Sequence, residues 1–235
     1  MKISPLSEQI PNFLIFFKTI KKQFTRVPFL VVFNTLTILM LGVLGIYAKL
    51  TRKGTGFDRL FSDPFNYGSP YEGILTGVSE VLWCVTVITC AFTFGVLRQK
   101  KARSRVEMFL LFSALLLGLL FIDDRFRITL ILSSLGVSKK LIYLCYGSLI
   151  VIYGIKFWRL ILATPYLPLV AAFILFAISR FEDVFSGKSL GVHAMLEDGT
   201  KLLALVNLAV YFWHICHQEI WRNLQHSEEN YQKLD

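Results

Sequence analysis

Long apolar runs, broken by short clusters of charge, recur along most of the chain. Six stand out: Pro28–Leu50, Ile74–Leu97, Val106–Ile122, Leu141–Leu162, Pro165–Ser179 and Leu196–Ile215. A helix rising about 1.5 Å per residue needs roughly 20 predominantly apolar residues to cross the hydrocarbon core of a bilayer. The pattern therefore predicts an all-α, polytopic membrane protein, a bundle of six transmembrane helices. Residues 28–217 form that domain, preceded by an arm (1–27) and followed by a polar cytoplasmic tail (218–235) expected to fray from Arg222 onward. The fifth run is short, which suits a tilted or sheltered helix.

The arm has its own pattern. Phe13, Phe16, Phe17, Ile20 and Phe24 recur at helical spacing among Lys18, Lys21 and Lys22, as in an amphipathic helix lying in the headgroup plane. Docking to a partner is the alternative use of such a face. The stretch Arg127–Lys140 reads as a second interfacial segment, ending in a Leu-Gly-Val-Ser turn from which Ser138 caps the fourth span. Thr164 and Pro165 read as N-cap and first position of the fifth span. Gly42, Gly45, Gly118, Gly147 and Gly154 fall inside spans, where small residues allow close helix packing.

Composition agrees: 54% of residues are hydrophobic and the mean hydropathy is +0.57. Little chain remains outside the spans, so any site must lie in the bundle or at its rim. The net charge of +9 comes mostly from segments beside the helices, where basic residues set topology and meet anionic headgroups. No basic groove with stacking aromatics can be drawn, so nucleic acid is not an expected partner. The connection Arg98–Arg105 holds five positive charges in eight residues. With the basic arm and the Lys156–Arg159 end of the fourth span, it predicts both termini on the cytoplasmic side of the cell inner (plasma) membrane. The first apolar run is too long for a signal-peptide core and reads as a retained anchor. Four cysteines, Cys84, Cys90, Cys145 and Cys216, lie within spans without a CxxC pair, as buried small hydrophobes do.

Ionisable groups inside a membrane domain are costly and usually functional. Under this topology they gather on the outer side. Glu80 lies about two turns into the second span, and Asp123 and Asp124 close the third. Glu182 and Asp183 follow the fifth, and His193, Glu197 and Asp198 introduce the sixth. Glu80, Asp123, Asp124, Glu197, Asp198 and Ser79 form the candidate binding set. Asp123, Asp124 and His193 form the candidate metal set, since carboxylate and imidazole suit zinc or another divalent cation. Plainer roles exist for each: Glu197 and Asp198 suit a helix N-terminus, Glu197 is four residues before Lys201, and the Asp pair can balance Arg125 and Arg127. His214 and His217, three apart on one helix face at the inner end of the sixth span, are a second candidate. No other span supplies the opposing histidine that a bundle-spanning haem needs. GxSxG, HExxH and phosphate-loop motifs are absent.

These residues carry a resemblance. Asp63-Pro64, Pro70-Tyr-Glu-Gly73, Ser79 and Trp83 form one block. Asp123-Asp-Arg-Phe126, Leu135-Gly-Val-Ser138 and Leu196-Glu-Asp-Gly-Thr-Lys201 form the rest. In this order they resemble a group of uncharacterised bacterial multi-pass membrane proteins, frequent in cyanobacteria. Its third-helix signature is two aspartates, a hydrophobic stretch and His-Glu. Here Thr129 and Leu130 stand where His-Glu would fall. A fainter similarity is to ceramidase-like membrane hydrolases, with Ser79, Asp123 or Asp124, and His193 in the serine, aspartate and histidine roles. That family's three-histidine zinc set is missing, and His214 and His217 match its paired histidines neither in spacing nor in depth.

The leading expectation is a small integral-membrane binding or accessory protein whose outer cluster recognises a cation, a lipid headgroup or a membrane-protein partner. The rival is a metal-dependent hydrolase of a lipid amide or ester, in which bound zinc would generate a hydroxide nucleophile. A channel or transporter is the third reading, favoured by Glu80, Asn34 and Asn207 but lacking a visible inverted repeat.

Overall fold

A helix that stays apolar around most of its circumference cannot hide all of that surface against its neighbours, and lipid is the solvent that suits the remainder. The computed structural model describes residues 27–50, 60, 73–99, 105–185 and 192–232, and among them every regular element is an α-helix. In chain order these are α1 (Pro28–Leu50), α2 (Ile74–Arg98), α3 (Arg105–Phe126), α4 (Ile128–Ser134), α5 (Lys139–Ala163), α6 (Leu167–Phe185) and α7 (Val192–Gln232). Helices α2, α3, α5 and the Glu197–Gln225 portion of α7 are long and apolar enough to cross a membrane. Helices α1 and α6 hold shorter apolar runs, Phe29–Leu44 and Leu167–Phe181. Large apolar side chains such as Phe29, Leu36, Val81, Ile88, Phe92, Ile155 and Ile174 stand on the outside. The expected amphipathic arm, the Asp63-Pro64 motif and most of the basic second connection lie outside the described residues.

The bundle is organised around α7. Helix α6 lies along it, α2 packs between it and α3, and α1 rests against it, whereas α5 meets the others sparsely, chiefly through α3 and α4. In a bilayer, helices associate through close packing and interhelical hydrogen bonds, because lipid already solvates apolar faces. Both occur here. The Phe109 ring of α3 lies 5.8 Å from Tyr153 and 5.5 Å from Phe157 of α5, and 6.1 Å from Phe212 of α7. The Tyr153 hydroxyl meets Ser113 Oγ at 2.6 Å, so the phenol is buried without losing its polar partner. Between α1 and α7 the amides of Asn34 and Asn207 bond reciprocally, at 2.7 and 3.2 Å.

Three local features differ from the sequence pattern. Helix α7 does not end near Ile215; it continues unbroken to Gln232. Between Thr200 and Gln232 there is no proline or glycine to stop it, and polar residues such as Glu, Gln and Arg are good helix formers. The polar residues there continue the helix instead of ending it. Thr164 closes α5 instead of opening α6: its hydroxyl lies 2.7 Å from the Ile161 carbonyl oxygen and 3.0 Å from the Tyr211 hydroxyl, while α6 starts at Leu167. Helix α3 runs past Ile122 to Phe126, which places both aspartates within its last two turns. Ser138 caps α5 as expected, accepting from the Leu141 amide.

Candidate functional site

Where α3 ends, the chain turns sharply at Arg127. Its φ of 52° is left-handed, unusual for a residue with a Cβ. The turn separates α3 from α4 and swings the start of α4 back towards Asp123. Both the backbone amide and the hydroxyl of Thr129 donate to Asp123 Oδ1 at 2.8 Å, with the hydroxyl also 3.0 Å from Oδ2. Tyr146 of α5 lies beside the same carboxylate. Asp123 is thus buried, and it stabilises the break by placing negative charge at the N-terminus of α4.

Asp124 is one residue on, and consecutive helix positions point about 100° apart. Its carboxylate faces α6 and α7 instead. Lys201 Nζ lies 2.5 Å from its Oδ1 and Arg180 3.6 Å away. The Arg180 guanidinium in turn lies over the Tyr143 ring, 5.7 Å from its centroid, which ties α6 to α5. On the other flank Glu80 of α2 accepts from Arg125 of α3 at 3.0 Å.

These groups surround a cavity of about 250 Å³. Among the described residues five carboxylates line it (Glu80, Asp123, Asp124, Glu197 and Asp198), with four cations (Arg125, Arg127, Arg180 and Lys201) interleaved among them. Charges buried at a bundle end persist only when paired, since an isolated ion there costs several kcal/mol. The near balance of signs meets that requirement.

The sequence-derived residues divide clearly. Glu80, Asp123, Asp124, Glu197 and Asp198, scattered over more than a hundred residues, share the cavity. Ser79 does not line it; its hydroxyl donates to the Leu75 carbonyl within α2, at 3.0 Å. The side chains of His193, Glu182 and Asp183 lie outside the described residues. Of the second candidate pair, His214 is half-buried and His217 exposed. Among the described residues no three His, Cys, Asp or Glu side chains are grouped to hold a metal. Arg180, Tyr143 and Tyr146 were not singled out by motif reasoning. The signal available was charge parity: acids inside a bundle demand cations at the same depth, and Arg180 follows directly on an apolar run.

The fold and cavity define a helical membrane protein with an ion-paired polar pocket at one end of its bundle. The chain belongs to the DUF8692 family, a domain of unknown function, which matches residues 29–215. That range contains every described residue lining the cavity and stops short of the α7 extension. No curated protein and no solved structure matches the chain.

Proposed function

We propose that this DUF8692 protein is a non-enzymatic binding or accessory component of the membrane, whose cavity takes a lipid headgroup carrying both signs of charge. The observation that carries the reading is the interleaving of five carboxylates with four cations around one small cavity. A bare cation entering it would meet competing Arg and Lys charge, and a bare anion would meet the carboxylates. A zwitterionic headgroup exchanges ion pairs for ion pairs and leaves no buried charge orphaned. The hydrolase reading needs carboxylates open to zinc, whereas Asp123 and Asp124 spend their oxygens on Thr129, Lys201 and Arg180.

In this reading all six apolar helices cross the bilayer. Helix α6, with 19 residues, is about 28 Å long, close to the hydrocarbon thickness. Arg180 lies near the end of its apolar run, and Asp124, 3.6 Å away, balances that charge. Both termini are cytoplasmic and the cavity opens to the outer leaflet, following the basic Arg98–Arg105 connection.

The test uses the full chain in nanodiscs of equal parts phosphatidylcholine and phosphatidylethanolamine, with retained lipid identified by native mass spectrometry. Wild type should retain a zwitterionic lipid that the Asp124→Asn/Lys201→Met variant loses. Equal retention by both, or stoichiometric zinc with release of fatty acid from a lipid amide, would reject the proposal.

A further inference from the structure

The opposite end of α3 has different chemistry. Arg105 lies about 27 Å along the helix from Asp123, near the other membrane face. There a cavity of about 600 Å³ opens between α3 and α5, its walls including Arg105, Met108, Lys156, Phe157, Trp158 and Arg159. Among the described residues it is lined by three cations and no carboxylate. Among the described residues none of the three enters an ion pair. Lys156 Nζ instead sits over the Phe112 ring, 3.8 Å from its centroid, and the Arg159 guanidinium lies 5.5 Å from that of Trp158. Cation–π contacts hold these charges in place without neutralising them.

The surroundings indicate what completes the site. Helix α5 packs sparsely, so space remains beside it. Deeper along the same helix Ile155 and Ile152 are exposed, offering an apolar track that continues from the cationic pocket towards the membrane centre. Trp158 is exposed at the cavity, as an interfacial belt residue is. Positive charge at headgroup level above an apolar track matches one kind of molecule: negatively charged at the head and carrying acyl chains. A zwitterionic lipid would bring its own ammonium against three cations.

We infer that this cavity is a binding site for one anionic glycerophospholipid in the leaflet at the Arg105 end. Its phosphate is held by Arg105, Lys156 and Arg159, and an acyl chain lies along α5. The inference does not rest on the reading of the Asp124 cavity, which shares no residue with this one.

The full chain is reconstituted in nanodiscs of about four parts phosphatidylcholine to one part phosphatidylglycerol, and lipids retained on transfer to detergent are counted by native mass spectrometry. Wild type should hold phosphatidylglycerol well above its bulk share; retention in proportion to the bulk would overturn the inference. Each cation removed should lower retention roughly fivefold, so Arg105→Gln/Lys156→Gln/Arg159→Gln should lower it roughly a hundredfold. Lys139→Gln/Lys140→Gln, at the far end of α5, should leave it unchanged. An equal loss there would mean diffuse attraction to net charge, and the site would be wrong. If the triple variant does not fold, two other arms decide. Arg105→Lys/Arg159→Lys must keep most of the retention, and millimolar glycerophosphate, lacking acyl chains, must not displace the lipid. Displacement would reassign the cavity to free phosphate and overturn the lipid claim.

Discussion

Lys201 of α7 and Asp124 of α3 meet at 2.5 Å, each side chain largely buried, and this pair links two helices whose Phe109 and Phe212 rings also stack, 6.1 Å apart. Removing one partner of a buried pair leaves the other charge uncompensated, at a cost of about 3–5 kcal/mol. Arg180 remains 3.6 Å from Asp124 and softens that loss. Lys201→Met should therefore destabilise the protein by roughly 2–3 kcal/mol, and Asp124→Asn/Lys201→Met by less than the single change. Thermal unfolding in detergent measures both. A single variant as stable as wild type would show the pair to be surface-like.

The neighbouring aspartate has a local role. Thr129 gives Asp123 two donors, of which only the hydroxyl is removable by mutation. A hydrogen bond to a charged group is worth about 1.5–3 kcal/mol, and the amide donor stays in place. Thr129→Val should cost about 1–2 kcal/mol and Thr129→Ser much less. Loss of lipid retention at unchanged stability would instead place Thr129 in the binding role.

How far the sequence carried is visible in these two residues. The Asp-Asp pair could be placed at the end of the third span, and convergence of Glu80, Asp124 and Asp198 followed from topology and the cost of buried charge. The division of labour between Asp123 and Asp124 was not legible. It depends on the left-handed backbone at Arg127, and no local rule predicts an arginine there. The α7 extension was missed for a different reason: hydropathy reports where a helix leaves lipid, while helix termination is governed by caps and breakers. The interleaved cations were underweighted because a surface reading pairs Lys201 with Glu197 on its own helix, whereas it reaches Asp124 across the bundle.

Helix α1 is attached chiefly to α7, and the Asn34–Asn207 amide pair is the polar part of that contact. Each amide also donates within its own helix, to Leu30 and Leu203 respectively. Interhelical hydrogen bonds in membranes contribute about 0.6–2 kcal/mol, because the separated helices find other partners. A double-mutant cycle of Asn34→Ala and Asn207→Ala should give a coupling energy in that range. Additive effects would mean the amides are satisfied independently.

Orientation can be checked without purification. Lys101 lies in the basic connection before α3, which the proposed topology puts in the cytoplasm. A Lys101→Cys variant, made with the native cysteines replaced, should resist an impermeant maleimide in intact cells and react once they are opened. Labelling in intact cells would invert the bundle and turn the Asp124 cavity to the inner leaflet.

Glu80 and Arg125 distinguish a structural ion pair from a working one. They meet at 3.0 Å with about a quarter of each side chain exposed, so water screens them and their contribution to stability should stay below about 1 kcal/mol. Yet both line the cavity, where a headgroup would displace that water and strengthen every remaining interaction. Glu80→Gln should therefore leave thermal stability nearly unchanged while lowering retention of the zwitterionic lipid several-fold. The exchange Glu80→Arg/Arg125→Glu separates the two roles further. It restores an ion pair between α2 and α3 but reverses the order of charges that the ligand meets, so stability should return to the wild-type level and retention should not. If retention also returns, the cavity senses only the presence of a pair, and Glu80 is a strut between helices. If neither variant changes retention, the Glu80 flank lies outside the binding surface, and the site contracts to Asp124, Arg180 and Lys201.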